Sequence, residues 1–189
     1  MPLEYDTDYP ISTLNHNNLY RIFSLNANDH EYLRYPKGAF SPLTITRRCS
    51  QVCMLWRDII VGAASIWGSC IELNMLAQRR SDWRDEVLRR TSGARLSIYV
   101  HRVNAIHQSG IMHTLLVDLL QNHWERIRVL NIAVTSPEDI RDPRILNALG
   151  RPAPVLEEFL IQCSEEVTEL SVTGGVSQGF HLFSNDARL

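Results

Sequence analysis

Cysteine is scarce in this chain and keeps no company that would turn it into chemistry. Cys49, Cys53, Cys70 and Cys163 are the only four in 189 residues. A disulfide scaffold uses more of them in a shorter chain, so their number suits a reduced compartment. A zinc site would need a tight C-x-x-C knuckle and a second ligand pair. Cys49-x-x-x-Cys53 is looser than that, and no matching pair follows. His101, His107, His113 and His123 form no H-E-x-x-H or other fixed metal spacing. Charge of one sign is also lacking, with 19 Lys and Arg against 21 Asp and Glu and a net of −2. That balance excludes a mainly electrostatic grip on nucleic acid or acidic lipid. The run of Arg79, Arg80, Asp82, Arg84, Asp85, Glu86, Arg89 and Arg90 mixes both signs and predicts a solvated helix face.

Long apolar runs are missing as well. The longest nearly apolar stretch runs only from Ile59 to Trp67, far short of the roughly 20 residues needed to span a bilayer. The acidic start, Met1 to Pro10, carries no signal-peptide pattern. These absences predict a soluble protein of the cytoplasm or nucleus. Catalytic signatures are absent too. Gly174-Gly175-Val176-Ser177-Gln178-Gly179 lacks the Lys-Ser/Thr of a phosphate loop, and no Gly-x-Ser-x-Gly elbow presents a serine. The expectation is a protein that is not an enzyme and uses no cofactor.

What the chain does have is helical periodicity in its first half. Leu19, Ile22 and Phe23 make a stripe on a helix from about Asn15 to Leu25. Asn26 to Phe40 reads as an exposed loop. Ser41-Pro42 then looks like a cap and first helical residue. After it Ile45, Cys49, Val52, Cys53, Trp56, Ile59 and Ile60 fall on one face, predicting a single helix that runs to Gly62. Ile66 and Trp67 form an apolar knob, and Ile71 and Leu73 alternate like a short strand. A third helix is predicted over Met75 to Thr91, stopping before Gly93 with Leu76, Trp83, Val87 and Leu88 inward. Two short helices cannot cover Trp56 and its apolar neighbours. A tryptophan left in water forgoes roughly 2–3 kcal/mol, so this face needs a core or a partner.

The texture changes in the second half. Leu96, Ile98 and Val100 alternate as a strand does, and Ile111 to Trp124 is helical with Leu115, Leu116, Leu119 and Leu120 inside. Ile127-x-x-Leu130-x-Ile132 recurs in shape as Leu156-x-x-Phe159-x-Ile161, an offset near the period of leucine-rich repeats. Val167-x-x-Leu170-x-Val172 follows too closely to be a further full repeat, so it reads as a hairpin or loop. Strands at Leu96–Val100, Ile127–Val134 and Leu156–Gln162 are predicted to lie parallel, with the last lacking a neighbour.

Several of these residues carry a resemblance. Leu14 to Phe23 is similar to the opening Leu-Pro-x-Glu-x-Leu-x-x-Ile-Phe of the F-box, with Asn15 and Asn17 where the family favours proline and glutamate. Ser50-Gln51-Val52-Cys53 and Trp56-Arg57-Asp58-Ile59 resemble its second half, and Ile66-Trp67 its closing knob. Val87 to Gly93, Leu96-Ser97-Ile98, Leu115 to Leu120, Pro154 to Phe159 and Leu182 to Ala187 resemble the fungal F-box proteins with leucine-rich-repeat-like domains.

The resemblance implies an α+β chain. An all-helical F-box module would span residues 8–73, a linker helix 74–95, and an incomplete α/β leucine-rich-repeat-like solenoid 96–189. Leu14, Leu19, Ile22, Phe23, Leu43, Val52, Cys53, Trp56 and Ile59 would form the box core and adaptor face, with the helices expected to pair through Ile22, Phe23, Val52 and Trp56. The partners implied are a Skp-type adaptor, through it a cullin–RING ubiquitin ligase, and a protein substrate on the repeats. Neither nucleic acid nor membrane is expected as a partner. The alternative is a repeat-type interaction protein whose helical module only caps the solenoid. A small hydrolase would need a nucleophile, histidine and carboxylate gathered in one pocket. Because the chain stops at Arg188-Leu189, where another strand is expected, the repeat domain reads as unfinished.

Overall fold

The computed structural model describes residues 14–29, 41–100, 110–134, 141–163 and 168–173. The expected Asn26–Phe40 loop lies mostly outside them, and the glycine-rich stretch from Gly174 wholly so. Helix α1 spans His16–Ala27 and starts where the Asn15 side chain accepts a hydrogen bond from the Asn18 amide at 2.9 Å. Its inward side is Leu19, Phe23 and Ala27. Helix α2, Pro42–Cys49, opens as its sequence suggests, with Ser41 Oγ accepting from the Thr44 amide at 3.2 Å.

The single helix expected from Ser41 to Gly62 is instead two. α2 ends at Cys49, and α3 covers Met54–Gly62. Ser50 supplies the physical reason. Its hydroxyl donates to the Arg47 carbonyl at 2.7 Å, and the amides of Gln51 and Val52 close tight turns on Arg48 and Cys49. Serine hydrogen-bonding its own backbone competes with helix continuation. Arg57 Nε then donates to the Ser50 carbonyl at 3.2 Å, satisfying an end of α2 from α3. Cys53 follows in extended conformation, φ −154° and ψ 172°.

α4 (Ala64–Ser69) buries Ile66 and Trp67, the knob expected from sequence. β1 is short, Ile71–Glu72, and Leu73, expected in a strand, begins α5 (Leu73–Leu76). The helix predicted over Met75–Thr91 is likewise interrupted, because α6 starts only at Asp82 and runs to Thr91. At the break Gln78 turns its side chain back to the Met75 carbonyl at 3.0 Å. α6 ends at left-handed Ser92 and Gly93, φ 36° and 81°.

β2 (Leu96–Val100), α7 (Gly110–His123), a 3₁₀ turn (Trp124–Arg126), β3 (Ile127–Val134), α8 (Pro143–Leu149), β4 (Glu158–Cys163) and β5 (Thr168–Thr173) complete the described chain. The sheet order is β1-β2-β3-β4-β5. The first four strands are parallel, and β5 turns back antiparallel along β4. β4 therefore does not lack a neighbour, which corrects the expectation; the third recurring segment supplies one by forming a hairpin strand.

Register places like residues in rows. Ile71 pairs with Ile98, Ile98 with Leu130, and Leu130 with Phe159, at similar sequence offsets each time. A second row joins Val100, Ile132 and Ile161. Parallel neighbours in sequential order need a long crossover each time, and α7 and α8 fall within the last two. α5 and α8 both touch α7, whose Leu115, Leu116, Leu119 and Leu120 share one core with the strand rows. α8 is an addition to the expected elements. Its Ile145, Ala148 and Leu149 are buried, and Asp142 caps it ahead of Pro143.

That core also includes Leu19, Phe23, Leu43, Ile59 and Ile60, so helices and sheet are continuous. Glu72 makes one of the joints. It is almost fully buried on β1, and its carboxylate accepts from the Leu43 amide at the start of α2 at 3.1 Å. Arg128 on β3 makes another, donating to Asn28 Oδ1 at 3.3 Å and Ser97 Oγ at 3.1 Å. Among the described residues no helix is long and apolar enough to cross a membrane.

Candidate partner-binding face

The nine residues assigned to the helical module separate into three groups. Leu19, Phe23, Leu43 and Ile59 are buried and hold α1, α2 and α3 together. Leu14 and Trp56 are partly buried and pack on that core. Ile22, Val52 and Cys53 are exposed, Val52 by 62%. The sequence stripe had joined Val52 and Cys53 to Trp56 on one helix face. The turn after α2 removes them from it, and both sit between helices. The pairing expected through Ile22, Phe23, Val52 and Trp56 reduces to Phe23 and Trp56, whose rings meet edge-on with centroids 5.0 Å apart.

This alters what Trp56 is worth. Full burial would make Trp56→Ala cost roughly 3–5 kcal/mol. Half-buried against Phe23, it is expected to cost about 1–2 kcal/mol. Chemical denaturation of Trp56→Ala checks this; a loss above about 3 kcal/mol would mean that the ring is a core member after all.

The sequence stripe did not point to the other apolar side chains at the surface. Leu25 on α1 is 64% exposed, and Met54 and Leu55 at the start of α3 are 77% and 47% exposed. Ile22 follows from the α1 wheel, because Leu19 and Phe23 take the inward positions and leave Ile22 and Leu25 on an outer flank. Ile22 lies on α1 beside Phe23 in sequence, and Leu55 on α3 beside Trp56, so both exposed side chains belong to the two helices that the Phe23–Trp56 ring contact joins. Val52, Met54 and Leu55 crowd one end of α3. On the opposite flank of α1, Tyr20 is tied to α4 by a 2.9 Å hydrogen bond between its hydroxyl and Ser65 Oγ.

Burial pushes the Cys49 thiol above its ordinary pKa, and Cys70, fully buried, is pushed up to about 12 by the same cause. Neither is a reactive thiolate. Among the described residues no three His, Cys, Asp or Glu side chains gather as a metal site. His113 Nε2 lies 2.9 Å from Asp142 Oδ2, but that carboxylate also caps α8 and binds Arg144. The Arg144 hydrogen bonds hold Asp142 down at about 2. The arrangement docks α8 against α7. His101 and His107 lie outside the described residues.

No protein-family model, curated protein or solved structure matches the chain.

Proposed function

We propose that this chain is a non-catalytic F-box-type protein, the substrate-recognition component of a Skp–cullin–F-box ubiquitin ligase. The observation that carries the reading is the exposed apolar set Ile22, Leu25, Val52, Met54 and Leu55 around a helical module whose core is already complete without them. Scattered surface apolar residues need no explanation, but a group on neighbouring helices marks an interaction surface. The F-box resemblance falls on those same helices. α1 to α3 dock on a Skp-type adaptor through this set, with Cys53 beside it, while Leu19, Phe23, Leu43 and Ile59 hold the helices in place. The sequential parallel strands, evenly spaced along the chain by their register, are in keeping with a leucine-rich-repeat-like domain that holds a protein substrate. The mechanism is proximity: a tethered substrate lysine meets the charged ubiquitin carrier at raised effective concentration. The chain supplies no catalytic group or cofactor and works in the cytoplasm or nucleus.

Capture of a purified Skp-type adaptor tests it. Val52→Asp and Leu55→Asp each put a charge on the face without disturbing buried contacts. Each is expected to weaken capture by about 2–3 kcal/mol, roughly thirtyfold or more, with the melting temperature held. Failure of the unaltered protein to bind, or full binding by both variants, would overturn the reading. The first outcome, with other proteins still co-purifying, would leave a repeat-type interaction protein outside the ligase.

A further inference from the structure

A groove of about 270 Å³ lies where α2 passes the α5–α6 break. Leu43, Met75 and Trp83 give it apolar surface, and Arg47, Arg48, Gln51 and Gln78 give it donors. Among the described residues no acidic side chain lines it. Arg79 and Arg80, both exposed, follow Gln78 directly. Asp82 adjoins Trp83 on the chain, and Asp85 is engaged by Arg84 at 3.3 Å.

Arg47 is held differently from the arginines that pair with acids. Arg84, Arg89, Arg90, Arg95 and Arg144 each sit on a carboxylate. Arg47 instead lies over the Trp83 ring at 4.7 Å, and its guanidinium makes no ion pair or hydrogen bond with a described residue. Trp83 is itself braced edge-on by Trp67, centroids 6.1 Å apart, and Arg90 covers Trp67 at 4.6 Å. A guanidinium held over a ring is not neutralised by that contact and still has N–H groups that can take a carboxylate with two hydrogen bonds. Side-chain amides on the same rim can pair with an extended backbone.

We infer that this groove binds an acidic peptide segment of a partner protein, with a carboxylate on Arg47 and an apolar side chain against Met75 and Trp83. The volume suits one or two side chains. With a net charge of −2, the chain lacks the broad positive field that a nucleic acid would need. The inference does not rest on the adaptor-binding reading.

The test is fluorescence anisotropy at low salt, using the full chain and a labelled octapeptide of six glutamates and two leucines. Arg47→Met keeps an apolar stem over Trp83 but removes the fork, and is expected to weaken binding about tenfold. Gln51→Glu, which adds a negative charge at an exposed rim position, is expected to weaken it as well. Arg21→Met, on the exposed side of α1, should stay within about twofold of the unaltered protein. Thermal melts of all three should match it. No saturable binding, or an equal loss in Arg21→Met, overturns the proposal. Displacement of the peptide by inorganic phosphate or a single-stranded oligonucleotide as readily as by unlabelled peptide also overturns it, by showing a general anion or nucleic-acid site.

Discussion

Trp67→Ala is expected to lose about 4–5 kcal/mol, the largest effect expected of a single substitution in this chain. Trp67 is fully buried on α4, and its indole N–H donates to the Ile60 carbonyl at 2.8 Å, satisfying the end of α3 from inside. Its ring also sits between Trp83 and Arg90. Removing it opens a cavity, takes from the Ile60 carbonyl one of its two donors (the Ala63 amide, at 3.2 Å, remains) and frees a cation from its ring at once. Against a total stability of about 5–15 kcal/mol for a folded domain, such a loss brings the protein close to unfolding at room temperature. Urea titration followed by circular dichroism measures it. Trp67→Phe should fall between, since it keeps a ring but loses the indole donor, while the Ile60 carbonyl still accepts from the Ala63 amide, a loss of about 1–2 kcal/mol. A loss below about 1 kcal/mol for the alanine variant, far under the usual cost of emptying a tryptophan site, would show that α4 is not the hub joining α3, α6 and the sheet.

The second large effect is expected one residue later. Gly68 lies where α4 meets the start of β2, and a Cβ there would run into the Arg95 backbone carbonyl oxygen. Backbone cannot swing aside as a side-chain end can, so Gly68→Ala must part the helix from the strand. Overpacking of this kind costs about 1–3 kcal/mol, and a clash with rigid backbone belongs at the upper end. Gly62 closes α3 with nothing within 4 Å of the position its Cβ would take. Gly62→Ala is therefore expected to be neutral or to stabilise by up to about 1 kcal/mol. Comparing the two melting temperatures isolates packing from helix propensity. A Gly68→Ala protein as stable as Gly62→Ala would mean that α4 and β2 are not in close approach. Trp67 and Gly68 variants should not be combined additively, because both act on the same contact.

Spacing and cap chemistry alone determined a good deal about this protein. The Asn15 and Ser41-Pro42 starts, the left-handed stop after Thr91, the inward leucines of α7, and three parallel strands all follow from local rules. They are legible because each is decided by a residue's own backbone preference or by a strict alternation. α8 was legible in principle: Asp142-Pro143 is a cap and first turn, and Ile145, Ala148 and Leu149 have helical spacing. A helix that ends at Leu149 gives only a short periodic signal.

Tertiary structure decided the rest. The stripe from Ile45 to Ile60 keeps helical period across Ser50 to Cys53, so periodicity cannot reveal that the backbone leaves the helix there. The Ser50 hydroxyl and the Arg57 side chain settle that by bonding carbonyls at the end of α2. The same turn decided the candidate face. Val52 and Cys53 pass from the expected apolar helix face to the surface, while Trp56 stays partly buried on the core, its ring edge-on to Phe23. A helical wheel assigns sides to residues but cannot say which side meets a neighbour, because burial belongs to pairs of elements. β1 shows the converse. Two residues hardly register as a strand in sequence, yet Ile71 is fully buried in the row with Ile98, and Glu72 is held there by the amide of Leu43, far earlier in the chain. A strand that short exists only because the sheet beside it and the helix above it supply the hydrogen bonds its own length cannot.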